Sequence, residues 1–193
     1  MKQLVFLCFF PLMFVSCNNT KKQGDHQHGN DEKVSNAPSS TQSLSPHKET
    51  MAMIGDAHIH IDYSAPSVRG RIVFGGLLAY GEVWQSGAHN ATWIETNKDL
   101  VINNQLLQAG KYGFFTIPNK ENWTVIFNSN WNQHGKDEYD MNEDVLRFEV
   151  VPEISDELTE QLNYRLTQID DENGIIQLSW EKASISFSFT VSE

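Results

Sequence analysis

Apolar and polar residues alternate along much of the C-terminal half of the chain. The clearest case is the segment 184–191, where Ile185, Phe187, Phe189 and Val191 alternate with serines and a threonine. Successive side chains of a β-strand point to opposite faces, so this alternation predicts a strand with one buried face. The same pattern predicts half-buried strands at 59–63, 145–151, 162–166 and 176–180.

Two other segments are more densely apolar and predict strands that are covered on both faces. They are 112–117 and 123–127, in which aromatic and β-branched residues are concentrated. The polar stretch 118–122 between them begins with Pro118 and predicts a hairpin loop. The dipeptide Asn173-Gly174 predicts a further tight turn.

One segment, 155–161, favours a helix of two turns at most, with Ser155 as its N-cap and acidic residues in the first turn. Because the other periodic segments predict strands, we expect an all-β chain of about nine or ten strands with at most one short helix. This pattern indicates an antiparallel β-sandwich or a jelly-roll-like barrel. Periodicity does not choose between these two topologies.

The first residues have the pattern of an export signal. Lys2 precedes an apolar run over 4–15, and the small Ser16 and then Cys17 follow it. As a helix that run would be about 18 Å long, short of the roughly 30 Å hydrocarbon core, so we predict no permanent transmembrane helix. The string Phe-Val-Ser-Cys at 14–17 resembles the lipobox of bacterial lipoproteins, with Phe14 where Leu is commoner.

This resemblance implies that residues 1–16 are a lipoprotein signal peptide and that Cys17 carries diacylglycerol and an acyl chain such as palmitate. Several acyl chains give stable membrane anchoring. The alternative is ordinary cleavage nearby, which leaves a soluble secreted protein. Asn18 does not resemble the Asp retention signal of some bacteria. We therefore expect a lipid-anchored protein of the cell envelope, at the outer membrane.

The mature chain divides into a polar segment and a domain. Residues 17–47 comprise the predicted lipidated Cys and a tether that is too polar to bury a core, whereas 48–193 is long enough for a single β domain. Cys8 leaves with the signal, so neither a disulfide nor a thiolate metal site is expected. The net charge of −11, from 14 Lys and Arg against 25 Asp and Glu, disfavours nucleic acid as a partner.

Several strings, taken in order, resemble the bacterial family called domain of unknown function 2911 over nearly the whole span 51–191. These strings are Tyr63-Ser64-Ala65-Pro66, Gly70-Arg71-Ile72-Val73-Phe74-Gly75, Tyr80-Gly81-Glu82-Val83-Trp84, Gly87-Ala88, Ala91-Thr92, Ala109-Gly110-Lys111-Tyr112, Phe115-Thr116-Ile117-Pro118 and Trp123-Thr124-Val125-Ile126-Phe127-Asn128. The resemblance implies an exported bacterial β-domain and brings no established activity.

The departures from the family pattern concern charged residues and histidines. Ala65 and Gln85 stand where relatives carry Arg, and Asn90 stands where they carry Glu. If those charges form a family site, this protein cannot perform the same ionic chemistry. Histidines occupy positions where relatives carry other residues, namely His58, His60, His89 and His134.

A short segment with two histidines is the sharpest candidate site. On a strand His58, His60 and Asp62 share one face, because residues i and i+2 point the same way. Two imidazoles at this spacing can chelate copper or zinc, with a carboxylate or a further His completing the shell. His89 and His134, which lie in predicted loops, are the further candidate ligands. The alternative is that these are solvated surface residues.

Catalysis has less support from the sequence. Hydroxyl residues such as Ser86 are present together with His89, but no nucleophile elbow, metalloprotease helix or phosphate loop occurs. Glu82 is a lone carboxylate in a family string and, with Gln85 and Asn90, forms a second candidate polar site. We assign no catalytic residue and do not predict an enzyme.

The function that the sequence favours is a membrane-anchored extracytoplasmic binding lipoprotein that takes copper or zinc through its histidines. A metal-free module for an envelope component or a glycan is the alternative, with Trp93 and Trp131 as stacking platforms. A hydrolase with a His base is the second alternative. The remaining tryptophans, Trp84, Trp123 and Trp180, are expected in the core.

Overall fold

Residues 43–192, the part of the chain that the computed structural model describes, form ten strands in two antiparallel sheets. The strands are β1 (His47–Ile54), β2 (Ala57–Ser64), β3 (Trp93–Thr96), β4 (Leu100–Ile102), β5 (Gln105–Leu107), β6 (Gly110–Ile117), β7 (Trp123–Asn128), β8 (Asp144–Val150), β9 (Glu153–Gln168) and β10 (Asn173–Val191). The strand order is β1-β2-β3-β6-β7-β8 in one sheet and β5-β4-β10-β9 in the other. The predicted all-β class is confirmed, and the sheets do not close into a barrel.

The main core lies between the two sheets and includes the inward faces of β2, β6, β7 and β10. At one end four aromatic rings pack together. Phe74 lies 4.6 Å from Trp123 and 6.0 Å from Trp180 between ring centroids, and Trp84 stacks on Trp180 at 5.6 Å. The expectation that Trp84, Trp123 and Trp180 belong to the core is confirmed, since all three are buried.

The outer face of the two central strands carries a second, smaller core. Phe115 of β6 and Ile126 of β7 are fully buried there, together with Ala91 from the long connection that joins β2 to β3. The prediction that these strands are covered on both faces is confirmed. The hairpin loop that joins them occupies 118–122, as the sequence predicts.

The predicted helix at 155–161 is wrong, because this segment belongs to β9. Thr159 lies opposite Glu181 of β10, and on the other side the Glu160 carbonyl accepts a hydrogen bond of 2.7 Å from the Val68 amide. Pairing on both sides satisfies the backbone groups that a helix would have paired internally, so tertiary context overrides the local signal. In the described part of the chain the sole helical segment is a 3₁₀ turn, Met141–Glu143.

The two strands predicted at 176–180 and 184–191 are one continuous strand, β10. The register shifts on either side of Glu181, which has a φ of 55° and marks a bulge. Its carboxylate accepts hydrogen bonds from the amides of Val73 and Phe74 at 3.2 and 3.3 Å. The turn predicted at Asn173-Gly174 is misplaced. The chain turns at 169–172, between β9 and β10, and Asn173 and Gly174 are the first residues of β10.

Two stacked core tryptophans differ in one hydrogen bond, which gives a matched test of the core. The indole N–H of Trp84 donates to the Gly87 carbonyl at 3.0 Å, whereas that of Trp180 has no partner among residues 43–192. Trp84→Phe leaves the carbonyl of the buried Gly87 without this hydrogen-bond donor. It should therefore lower the free energy of unfolding by about 1–2 kcal/mol more than Trp180→Phe. Urea unfolding of both variants measures this difference, and an equal or opposite ranking would contradict the assignment.

Ionisation of the buried Tyr164 and the partly buried Tyr139 should destabilise the domain at alkaline pH. Burial raises the pKa of Tyr164 well above its usual value, and burial together with the neighbouring Asp144 raises the pKa of Tyr139 to about 12. Phenols in the unfolded chain ionise near pH 10, so the unfolded state binds fewer protons above that pH. The stabilisation that these two tyrosines contribute is therefore fully present below about pH 10 and is lost as the pH rises towards 12 and beyond.

Urea unfolding at pH 8, 10 and 11 measures this loss. Tyr164→Phe and Tyr139→Phe should each flatten the decline between pH 10 and 11 relative to the unchanged chain. A decline that is equally steep in both variants would assign the alkaline destabilisation to other groups.

Candidate functional site

The candidate site lies on the hairpin formed by β1 and β2. Ile54 and Ala57 are register partners, so Gly55 and Asp56 form the turn. Gly55 has a φ of 56°, and a Cβ at this position would collide with the Asp171 carbonyl. Only glycine fits such a close approach without strain. The turn fixes the register, and the register fixes which side chains of the two strands are neighbours.

Alternation along β2 divides its side chains as the sequence predicts. Ile59, Ile61 and Tyr63 are buried in the core, while His58, His60 and Asp62 lie half-buried on the outer face of the sheet. The outer face of β1 carries exposed side chains next to them, because strand partners point to the same side. This outer face is therefore open to solvent, and it is polar except where β1 carries the exposed Met51 and Met53.

Four side chains of this surface come together, and we call them the hairpin cluster: His47, Glu49, His60 and Asp62. The His47 Nε2 atom lies 2.6 Å from Asp62 Oδ2, and the His60 Nε2 atom lies 3.1 Å from Glu49 Oε2. One ligand atom from each of Glu49, His60 and Asp62 lies within 4.8 Å of the other two. His47 does not belong to this three-residue group of described residues and joins the cluster through its contact with Asp62.

The two strands give the cluster an inner and an outer side. The side chains from β2 are more covered, with His60 19% and Asp62 23% exposed, than those from β1, with Glu49 54% and His47 65% exposed. β1 is the edge strand of its sheet, so solvent reaches the cluster from that side. An ion could enter or leave without any movement of the core.

An aromatic and cationic group flanks His60. The Trp93 ring meets the His60 ring edge-on, with centroids 4.8 Å apart, and Lys111 Nζ lies 3.4 Å from the Trp93 centroid. The same ammonium lies 4.3 Å from the Trp131 centroid and 3.7 Å from a carboxylate oxygen of Glu95. Trp93 is held between Lys111 and His60, which limits the rotation of the His60 imidazole.

The other predicted metal ligands lie outside the hairpin cluster. The His58 ring is 6.2 Å from the His60 ring between centroids. His89 and His134 lie on two loops that are joined by a backbone bridge at Asn90 and His134. Of the predicted ligands, His60 and Asp62 belong to the three-residue group that Glu49 completes. Among the described residues His58, His89 and His134 are not part of that group.

The second candidate polar site is partly assembled. Glu82 and Gln85 line a cavity of about 300 Å³ together with Lys136, whose Nζ lies 3.6 Å from Glu82 Oε2. Asn90 is exposed and takes part in the backbone bridge instead. The Glu82 carboxylate is therefore paired with a lysine at the surface, which is an ordinary structural role.

The hydroxyls near His89 are buried in a hydrogen-bonded corner. Ser86 Oγ donates to Thr116 Oγ1 at 3.0 Å, and the Ser86 carbonyl accepts from Thr92 at 3.0 Å and from Tyr164 at 2.8 Å. Ser86 and Thr92 are fully buried, whereas His89 is exposed. This geometry gives these hydroxyls a role in packing and offers no support for a nucleophile.

Sequence reasoning missed His47 and Glu49 as candidate ligands. The predicted tether ended at His47, whereas β1 begins there. A signal was present, since His47, Glu49, Met51 and Met53 alternate with Lys48, Thr50, Ala52 and Ile54, and Gly55-Asp56 follows. A Gly-Asp pair between two alternating segments is typical of a hairpin.

The N-terminal predictions fall outside the described residues. Residues 1–42, which include the predicted signal peptide and the lipidated Cys17, are not described by the structure. Within the described residues, no helix has the length and apolar character needed to cross a membrane.

Comparison with known proteins identifies a family and no individual relative. Residues 45–189 match the model of the family described as "Protein of unknown function (DUF2911)". Neither the search of the curated proteins nor the search of the solved structures found a match. The matched span begins two residues before β1 and ends within β10, so it takes in the two sheets and the hairpin cluster. The chain therefore belongs to the DUF2911 family.

Proposed function

We propose that this protein is a lipid-anchored, extracytoplasmic binding protein whose hairpin cluster holds one divalent transition-metal ion, zinc or copper. The observation that supports the proposal is that ligand atoms of Glu49, His60 and Asp62 lie within 4.8 Å of one another, with the His47 Nε2 atom 2.6 Å from Asp62 Oδ2. Imidazole and carboxylate are ligands that zinc and copper both accept.

The spacing of the donor atoms suits a small cation. Ligands bound to tetrahedral zinc at about 2.0–2.1 Å lie about 3.3 Å from one another. In the hairpin cluster the two imidazole-carboxylate pairs are 2.6 and 3.1 Å apart, and the three-residue group lies within 4.8 Å. Side-chain rotations that include a movement of His47 towards the three-residue group would close this set around an ion. Imidazole and carboxylate ligands bind a metal in their deprotonated forms, so metal binding competes with protons and should weaken at acidic pH.

The predicted anchor fits this role. The predicted tether leads up to β1, whose first residue is His47. Lipidation at Cys17 would keep the hairpin cluster near a membrane surface, where an exported protein can meet metal ions in the envelope.

The glycan alternative has less structural support. Trp93 and Trp131, the predicted stacking platforms, are both partly exposed, but Lys111 Nζ lies over both rings, at 3.4 and 4.3 Å from their centroids. A sugar would have to displace this ammonium or use the opposite faces.

Metal content tests the proposal. The experiment uses a background chain, defined as the full chain purified in detergent without a His tag and carrying Cys8→Ser, Cys17→Ser, His26→Ala and His28→Ala. These changes remove potential ligands that lie outside the described residues. After dialysis against zinc or copper(II), we expect one ion per chain by elemental analysis. No retained ion would overturn the proposal.

The loop histidines provide the matched control. His89→Ala/His134→Ala in the background chain should retain the same single ion, because neither residue belongs to the hairpin cluster. Loss of the ion in this variant would place the site on the loops and contradict the hairpin assignment.

A further inference from the structure

Two methionines on the outer face of β1 are exposed to solvent. Met51 is 50% exposed and Met53 is 53% exposed. They alternate with half-buried and buried residues along the strand, so both thioethers point away from the core. Neither side chain is needed to fill the space between the sheets.

The strand register places these methionines directly opposite the two histidines of β2. Met51 pairs with His60, and Met53 pairs with His58. Directly opposite residues of an antiparallel pair point to the same face with Cβ atoms about 4.5–5.5 Å apart. The result is an array of two thioethers and two imidazoles next to the hairpin cluster, on the side of the Gly55 turn.

We propose that Met51, Met53, His58 and His60 form a binding site for copper(I). Thioether sulfur is a soft ligand that selects copper(I), and imidazole accepts the same ion. Carboxylates, which favour harder ions, lie beside His60, at Glu49 and Glu95, but none is a register partner of Met51, Met53 or His58. The site shares His60 with the hairpin cluster. The inference therefore rests on the proposed metal-binding function and extends it from divalent ions to copper(I).

The surroundings hold the two imidazoles in place. The His58 amide donates to Asn97 Oδ1 at 2.7 Å, which fixes the backbone at that position. The edge of the Trp93 ring packs against the His60 ring. The methionines lie on the edge strand, so the thioether side of the site stays open for an incoming ion.

A competition titration tests the site. The background chain and its Met51→Leu/Met53→Leu variant are titrated anaerobically against the chromophoric copper(I) chelator bathocuproine disulfonate. Leucine keeps an apolar side chain of similar size and removes the sulfur. Loss of a metal's outer partners alone lowers affinity about 10- to 100-fold, so loss of two direct ligands should lower the copper(I) affinity at least about 100-fold. Met141→Leu, at an exposed methionine outside the hairpin, should leave it unchanged.

Zinc binding separates this inference from the proposed function. The methionine variant should bind zinc as the background chain does. His47→Ala should weaken zinc binding and leave copper(I) binding intact, because His47 pairs with Asp62 and not with a copper(I) ligand. No copper(I) binding by the background chain, or equal copper(I) affinity in the methionine variant, would overturn the inference whether or not zinc binds. Methionine-dependent copper(I) binding in a chain that takes up neither zinc nor copper(II) would support it and overturn the divalent site alone.

Discussion

Trp123→Ala is expected to lower the free energy of unfolding by about 3–5 kcal/mol, the usual effect of removing a large buried aromatic side chain. Trp123 is 1% exposed, and its ring lies 4.6 Å from that of Phe74. Phe74 in turn contacts Trp84 and Trp180, so the cavity would loosen the whole aromatic end of the core. Domains have total stabilities of about 5–15 kcal/mol, so this variant should be close to unfolding. Urea unfolding at neutral pH measures the loss.

Trp131→Ala is the matched control, since it removes the same side chain from the surface. Trp131 is partly exposed and contacts Lys111 and Trp93. Its loss should change the free energy of unfolding by about 1 kcal/mol or less. Equal destabilisation by the two substitutions would contradict the assignment of Trp123 to the core.

His47→Ala/His60→Ala is expected to lower zinc affinity at least about 100-fold in the background chain, because it removes both nitrogen ligands of the hairpin cluster. Calorimetric titration with zinc measures the affinity of the variant and of the background chain. The two carboxylates that remain are typical ligands for magnesium or calcium and bind zinc weakly without imidazole.

The fold of this double variant can be checked independently. Neither histidine belongs to the hydrophobic core, and each pairs with a carboxylate at the surface. The free energy of unfolding without metal should therefore fall by about 1 kcal/mol or less. Unchanged zinc affinity in a folded variant would exclude the hairpin cluster as the site.

The sequence predicted the strands that are marked by several consecutive residues of apolar or alternating character. The dense runs that became β6 and β7 and the alternation at the end of β10 were predictable because two-residue periodicity reports directly on burial. The prediction of a helix at 155–161 was wrong because it used only the local signal, an N-cap followed by acidic residues. The strand that forms there depends on pairing with β10 and with the segment near Val68, which are distant in the sequence. The sequence predicted two strands, at 176–180 and 184–191, where the structure has the single strand β10. The bulge at Glu181 interrupts the alternation, and only the pairing with β9 shows that the strand continues.

The candidate site was predictable only in part. The shared face of His58, His60 and Asp62 follows from spacing along one strand. The neighbours that complete each ligand set, such as Glu49 and Met51, come from β1 and depend on the register of the hairpin. A one-residue shift in that register would place them on the other face, so identifying them requires the two-residue turn at Gly55-Asp56 as well as the spacing along each strand.

Anomalous diffraction at the zinc absorption edge, from crystals of the background chain soaked in zinc, tests most directly whether the hairpin cluster binds the metal. We expect one strong anomalous peak about 2.0–2.1 Å from the Nε2 atoms of His47 and His60. We also expect carboxylate oxygens of Glu49 and Asp62 in the same shell. Zinc bound only at the loops of His89 and His134, or nowhere, would contradict the assignment of the metal site to the hairpin cluster.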